Sequence, residues 1–209
     1  RRKQLQDSNK LIEEFMLLAN RVVAEHVNKK RRETEIVPYV YRVHDKPDKE
    51  KMREFARFVK SLGFLVNFSD SPTPQQLNAL MAAVKQKEEE VIVNELAIRS
   101  MAKAIYSTDN IGHYGLGFVH YAHFTSPIRR YADLLVHRIL HYYGENKGKA
   151  LYQETPLRGM CAHISLTERT AIEAERYSVK TKYIEYLKPL VGEEFDGIIS
   201  GVTGFGFFV

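Results

Sequence analysis

A single cysteine, Cys161, occurs in the 209 residues, so no disulfide can close within the chain. That usage fits a reducing compartment, and the cytoplasm is the expected setting. No apolar run reaches the ~18 residues that a membrane-spanning helix requires, and no signal-peptide pattern opens the chain. Internal repeats and low-complexity tracts are missing too. So are the P-loop, the dinucleotide glycine fingerprint and the Gly-x-Ser-x-Gly elbow, which sets aside three large enzyme classes. Aspartates paired closely enough to hold Mg²⁺ are absent; Asp45 and Asp48 flank a lysine and a proline and read as turn formers. His120-x-x-His123 and His137-x-x-x-His141 have spacings that suit a metal, but no cysteine or His-Glu-x-x-His form accompanies them. A zinc site is therefore not expected. The excess of base over acid is slight, 31 Lys and Arg against 26 Asp and Glu, for a formal charge of +5. It permits a nucleic-acid partner without demanding one.

What the chain does have is a distinctive centre, Ala122-His123-Phe124-Thr125-Ser126-Pro127-Ile128-Arg129-Arg130-Tyr131-Ala132-Asp133. Ser126 followed by Pro127 is a helix-start signal, with Ser126 as the cap and the helix running to about Tyr143. Arg129 and Arg130 then fall in the first turn, where cations oppose the macrodipole at about 0.3–1 kcal/mol each near a surface. A phosphate between them would offset that cost. The other reading is a capped core helix with two surface arginines. Ile128, Leu134, Leu135, Val136, Ile139 and Leu140 leave only a narrow polar stripe of Arg130, Asp133 and His137, so the helix should be buried on most sides. Arg129, beside the apolar arc, is the arginine expected to point inward.

A helix over 7–27 places Glu13 and Asn20 within an apolar arc of Met16, Leu17, Val23, Ala24 and Val27, whereas Glu14, Arg21 and Glu25 share a polar face. Buried polar groups need partners. Glu13 and Asn20 either belong to a satisfied core network or face a site. The cations Lys29 to Arg32 suit the end of that helix. A strand is expected over 35–44, helices over 49–62, 74–87 and 91–106, and an apolar run at 64–66. The Gly- and aromatic-rich 113–121 leaves strands and loop both open. Helix returns over 157–164, and Ser165 with Glu168 forms a capping-box pattern that should restart it through Leu187. Lys188-Pro189 breaks it. From Val191 the pattern turns to β, and Phe205 and Phe207 on such strands could stack unpaired bases or fill a core. With no initiator Met at Arg1 and an end inside the apolar run at Val209, the chain reads as a fragment.

The stretch Tyr121 to Tyr131, with Asp133 and His137-Arg138, resembles the signature of the ribonuclease II/R (RNB) exoribonucleases, and more their ribonuclease R branch. Ile12 to Asn20, Tyr41 to Pro47, Arg99-Ser100-Met101 and Glu168 to Arg176 fit the same family. The resemblance implies an α+β fold: residues 1–189 as the mainly helical C-terminal part of an RNB catalytic domain with short strands. Residues 190–209 would begin an OB-fold RNA-binding barrel. It implies processive, Mg²⁺-dependent 3′-to-5′ hydrolysis of single-stranded RNA to nucleoside monophosphates. The Mg²⁺ ligands are expected upstream of Arg1, so the chain alone should hydrolyse no RNA. Arg129 is the implied catalytic contact to the scissile phosphate, and Glu13 the implied carboxylate at the terminal nucleotide. Asn20, Ser126, Arg130, Phe205 and Phe207 complete the candidate substrate-binding set. A non-catalytic RNA-binding or adaptor module is the alternative.

Overall fold

The computed structural model describes residues 6–31, 37–66, 68, 71–146, 149–197, 199, 201–203 and 206–208. Within them the order is α1 (Asp7–Arg31), β1 (Tyr41–Val43), α2 (Lys49–Ser61), α3 (Pro74–Val84), α4 (Glu90–Ser100), β2 (Ile105–Ser107), α5 (Tyr131–Glu145), α6 (Glu154–Leu187), β3 (Gly201–Thr203) and β4 (Gly206–Phe208). The fold is mainly helical α+β with few, short strands. No helix among the described residues is long and apolar enough to cross a membrane.

Local chemistry sets the starts of α2 and α3. Asp48 accepts the backbone N–H groups of Glu50 and Lys51, each at 3.0 Å, and those bonds hold its carboxyl below the usual carboxylate range. Thr73 and Gln76 form a reciprocal capping box with Pro74 at the first helical position. Met52, Phe55 and Val59 of α2 then meet Leu77, Leu80 and Val84 of α3 and Val93 and Ala97 of α4 in a small lobe with its own core. The main core gathers Ala24 and Val27 of α1, the β1–β2 pair, one side of α5 (Leu135, Val136, Ile139), and Leu157, Cys161 and Ile164 of α6. Burial pushes the Cys161 thiol up to about 12, so it behaves as an inert small apolar group.

His44 joins the lobe to the main core. Its Nε2–H donates to the Ala102 carbonyl at 2.7 Å, and its Nδ1 accepts from Gly115 N–H at 2.8 Å. A Cβ on Gly115 would come within 2.9 Å of that pinned imidazole, so the position admits only glycine without a shift. The open 113–121 stretch is a one-turn 3-10 helix, Tyr114–Leu116, flanked by isolated bridges from His113 to His44 and Phe118.

Several expectations are corrected. The helix expected over 91–106 ends at Ser100, because Ile105-Tyr106-Ser107 pairs antiparallel with β1 in the register Tyr41↔Ser107, Arg42↔Tyr106, Val43↔Ile105. That pairing buries the Tyr106 ring. The strand expected over 35–44 is confined to Tyr41–Val43, with residues 35 and 36 outside the described set, and 64–66 forms no strand. Ser165 does not restart a helix, since α6 runs unbroken for 34 residues. Its hydroxyl donates to the Cys161 carbonyl at 2.8 Å and accepts from Tyr106 N–H at 2.9 Å. After the turn at Lys188–Leu190 the described residues to 197 carry no strand, and β3 pairs antiparallel with β4. Phe207 stands in β4 opposite Val202. Phe205 lies outside the described residues.

Candidate nucleic-acid interface

The central stretch folds as a turn before a helix. Ser126 is not the cap: α5 begins at Tyr131, with Arg130 in extended geometry before it. The backbone N–H groups of Arg129 and Arg130 both bond to the Ser126 carbonyl, at 3.3 and 3.1 Å. The physical reason lies in Asp133, which is fully buried. One of its oxygens accepts from Ser126 N–H at 2.7 Å and from Arg130 Nη2 at 2.8 Å. A carboxylate three residues into the helix thus reaches back and closes the turn, which holds Ser126 outside the helix. Ile128, no longer on the helix, is fully exposed.

Arg129, expected to point inward, is the exposed arginine of the two. Arg130 is the one drawn inward, 19% exposed and paired to Asp133. Arg129 is exposed and has no ion-pair partner among the described residues.

The segment leading into the turn is fixed from α1. Asn20, buried, accepts the N–H groups of Phe124 and Thr125 at 2.9 and 3.2 Å and donates to the Tyr121 hydroxyl at 3.1 Å. It belongs to a satisfied network, and acts on the site through the loop it holds. Asn20→Ala is expected to lower the unfolding free energy by about 2–3 kcal/mol, because two backbone donors lose their acceptor. Asn20→Asp, which keeps an acceptor, should lose less. Urea unfolding measures both, and equal midpoints for Asn20→Ala and the parent would contradict this role. His137 supports the same segment, donating from Nε2 to the Phe124 carbonyl at 2.8 Å with its ring stacked on Phe124 at 4.1 Å.

Arg42 of β1 enters from the other side. It makes a two-pronged bond to Glu168 of α6, at 2.7 and 3.1 Å, and lies 4.5 Å over the Tyr106 ring. Burial pushes the Tyr106 phenol up to about 12, so it stays protonated and can donate to His123 Nδ1, 2.8 Å away. His123 itself is driven down to about 3 by burial first, then by Arg130, Arg42, His113 and Arg129. Burial is the larger cause, and the three arginines add a positive field at the same spot.

Between the turn and α6 lies a groove of about 470 Å³, lined by Arg129, Arg130 and Tyr131 on one wall, Tyr106 on the floor and Thr167, Glu168 and Glu175 on the other wall. Glu168 is neutralised by Arg42 and Arg130 by Asp133, which leaves Arg129 as the available cation. Such a groove can take a phosphate through the planar guanidinium fork.

Of the expected site residues, Arg129 and Arg130 come together in this groove, and Ser126 supports it through its backbone. Glu13 does not line it. The first turns of α1 are exposed, Leu11, Ile12 and Phe15 included, and packing begins only at Met16; Glu13 therefore faces solvent, as does Glu14. Nothing is described of the Phe207 side chain. For Mg²⁺ the donor set does not fit: among the described residues no three His, Cys, Asp or Glu side chains come together to hold a metal. Arg42, Tyr106, His123 and Glu168 escaped the reading of local pattern. The signal for Arg42 and Glu168 lay in the sequence words at 41–47 and 168–176 that fit the family.

The chain matches the family model described as the RNB domain over residues 1–146. It is 41% identical over 205 residues to ribonuclease R of Aquifex aeolicus and 39% identical over 206 residues to ribonuclease R 1 of Lactococcus lactis. Those alignments cover 97% of this chain but only 28% and 25% of the relatives, so the chain spans about a quarter of their length. Among solved structures it is similar to Mycoplasma genitalium RNase R in complex with ribose methylated single-stranded RNA. The TM-score there is 0.86 at 28% identity, over 99% of this chain and 32% of the other.

Proposed function

Because the chain belongs to the RNB-domain family, we propose that it supplies the phosphate-gripping part of a processive 3′-to-5′ exoribonuclease of the ribonuclease R type acting on single-stranded RNA. The metal-holding carboxylates would stand outside these 209 residues, and the setting would be cytoplasmic. Residues 1–189 would form the C-terminal part of the catalytic domain. Residues 190–209 would open an OB-type barrel, a reading supported by the antiparallel pair β3–β4.

The observation that carries this reading is Arg129, exposed and without an ion-pair partner among the described residues, at the lip of a groove whose other arginine is held by Asp133 and whose Glu168 is held by Arg42. Arg129 would bind the phosphate at the scissile end and stabilise charge developing on its oxygens. Arg130, fixed by Asp133, would hold the turn that aims Arg129. Glu13, exposed on α1, would meet the terminal nucleotide only if substrate itself reaches it.

Two substitutions separate charge from geometry. Arg129→Ala is expected to weaken binding to a single-stranded RNA oligonucleotide and to reduce the slope of log affinity against log salt by about 0.7–1. Arg129→Lys should keep that slope, since the charge remains. In the intact nuclease, Arg129→Lys should nevertheless lower turnover on the order of 10²-fold or more, because a point charge cannot make the forked contact. Anisotropy titrations at several salt concentrations and single-turnover hydrolysis measure the two effects. Unchanged turnover with Lys would sink the catalytic role. An intact protein that binds RNA through Arg129 but hydrolyses none would select the non-catalytic RNA-binding module instead.

A further inference from the structure

Tyr131 opens α5 and is 50% exposed, although its neighbours Ala132 and Asp133 are fully buried. An aromatic ring left half in water at the lip of a cationic groove calls for an occupant. Two observations say what kind. First, the groove that holds Arg129 does not end at Tyr131. Tyr131, Ile164 and Thr167 also line a second hollow of about 630 Å³, which continues along α6 over Gly159, Met160 and His163. Second, no carboxylate lines that second hollow, and its lining is mostly apolar. A cation at one end and a mostly apolar space free of carboxylates at the other match a phosphate joined to a planar ring. A purely apolar occupant would leave Arg129 unanswered, and a free inorganic anion would leave the hollow unfilled.

On the proposed reading of Arg129 as the phosphate contact, we propose that Tyr131 is a nucleobase-stacking platform. It would receive on its ring face a base of single-stranded RNA adjacent to the gripped phosphate, with Met160 and Ile164 as the apolar side of the slot. Stacking of this kind tolerates any base, since every base has a π-face. Gly159 keeps the slot open: a Cβ there would meet nothing within 4 Å. A larger side chain at that position would therefore project into unoccupied space and not into the core.

The test measures equilibrium binding of this chain to a single-stranded RNA oligonucleotide and to the same backbone made abasic. Tyr131→Ala is expected to weaken binding to the normal oligonucleotide roughly five- to hundredfold, the range seen for loss of one base–aromatic stack. Tyr131→Phe, which keeps the ring, should bind like the parent. Gly159→Leu fills the slot without touching any charged group, and should weaken binding while leaving the fold as stable as before or more so. The parent should lose a similar factor on the abasic oligonucleotide, and Tyr131→Ala should add nothing to that loss. If Tyr131→Ala and Gly159→Leu bind the normal oligonucleotide within twofold of the parent while Arg129→Ala does not, the stacking role is wrong and the phosphate contact stands. If Arg129→Ala also binds like the parent, both fall. The abasic comparison needs no variant, so a misfolded Tyr131→Ala would not spare the proposal.

Discussion

Acidification from pH 7 to pH 5 is expected to cost the folded chain about 2 kcal/mol through His123, and less through His113, whose partial exposure lets solvent screen its shift. His123 is held down to about 3, by burial and then by the field of Arg130, Arg42, His113 and Arg129. His113 is held down to about 4, by burial first, then by His44 and Arg42. Geometry agrees with both shifts. The Nδ1 of His113 accepts from Leu116 N–H at 3.2 Å, and that of His123 faces the protonated phenol of Tyr106. In the unfolded chain both imidazoles take up a proton below about 6.5. In the folded chain they stay neutral, so the unfolded state binds more protons. The stability they contribute is present above pH 6.5 and is lost as pH falls from there towards 4 and 3. Near pH 5 His123 should add about 1.4 kcal/mol per pH unit to the slope of stability against pH, and the partly exposed His113 less than that. His123→Gln removes one of them and should lower that slope by about 1.4 kcal/mol per pH unit. Urea unfolding of both proteins between pH 7 and pH 5 measures this, and parallel pH profiles would show that His123 is not held below its ordinary range in the folded chain.

Three arginines contribute to the field at His123, and only two of them were legible as neighbours in the sequence. Arg129 and Arg130 sit together in a stretch whose special character is plain from Ser126-Pro127 and the paired cations. Arg42 arrives from β1, fixed by Glu168 across 126 residues of chain, and no local period announces such a contact. Ser165 and Glu168 have capping-box spacing, yet each side chain is committed elsewhere, to Tyr106 and to Arg42. Tertiary partners outbid the local motif there. Helix faces were read correctly where the core extends along the whole element, as at Leu135, Val136 and Ile139 of α5. On α1 Asn20, Ala24 and Val27 of the apolar arc are buried while Glu13 is exposed, because a wheel gives direction around the axis but not how far along it the packing reaches. At Arg129 the wheel misled for a different reason. Moving the helix start from Pro127 to Tyr131 removed both arginines from the wheel, and the inward position passed to the one within reach of Asp133.

Asp133→Ala should be the most damaging single substitution at the site, lowering the unfolding free energy by about 3–5 kcal/mol. The carboxylate is fully buried and serves two donors with one oxygen, the Ser126 N–H and the Arg130 guanidinium. Removing it strands a largely buried cation and frees the end of the turn in the same step. It also deletes a negative charge from the first turn of α5, which near a helix N-terminus contributes about 0.3–1 kcal/mol. Asp133→Asn retains one acceptor oxygen and the side-chain shape, so its loss should be smaller. Replacing both partners, Arg130→Met with Asp133→Leu, should recover part of the stability lost by Asp133→Ala, since no buried charge is then left alone. RNA affinity should not recover with it. The turn that aims Arg129 depends on the bond from Ser126 N–H to Asp133, and leucine cannot accept it. Urea unfolding and RNA titration on the same four proteins read the two quantities side by side. An Asp133→Ala chain as stable as the parent would refute the buried pair as the anchor of the turn. Restored RNA binding in the double variant would show that Arg129 is aimed by something other than Asp133.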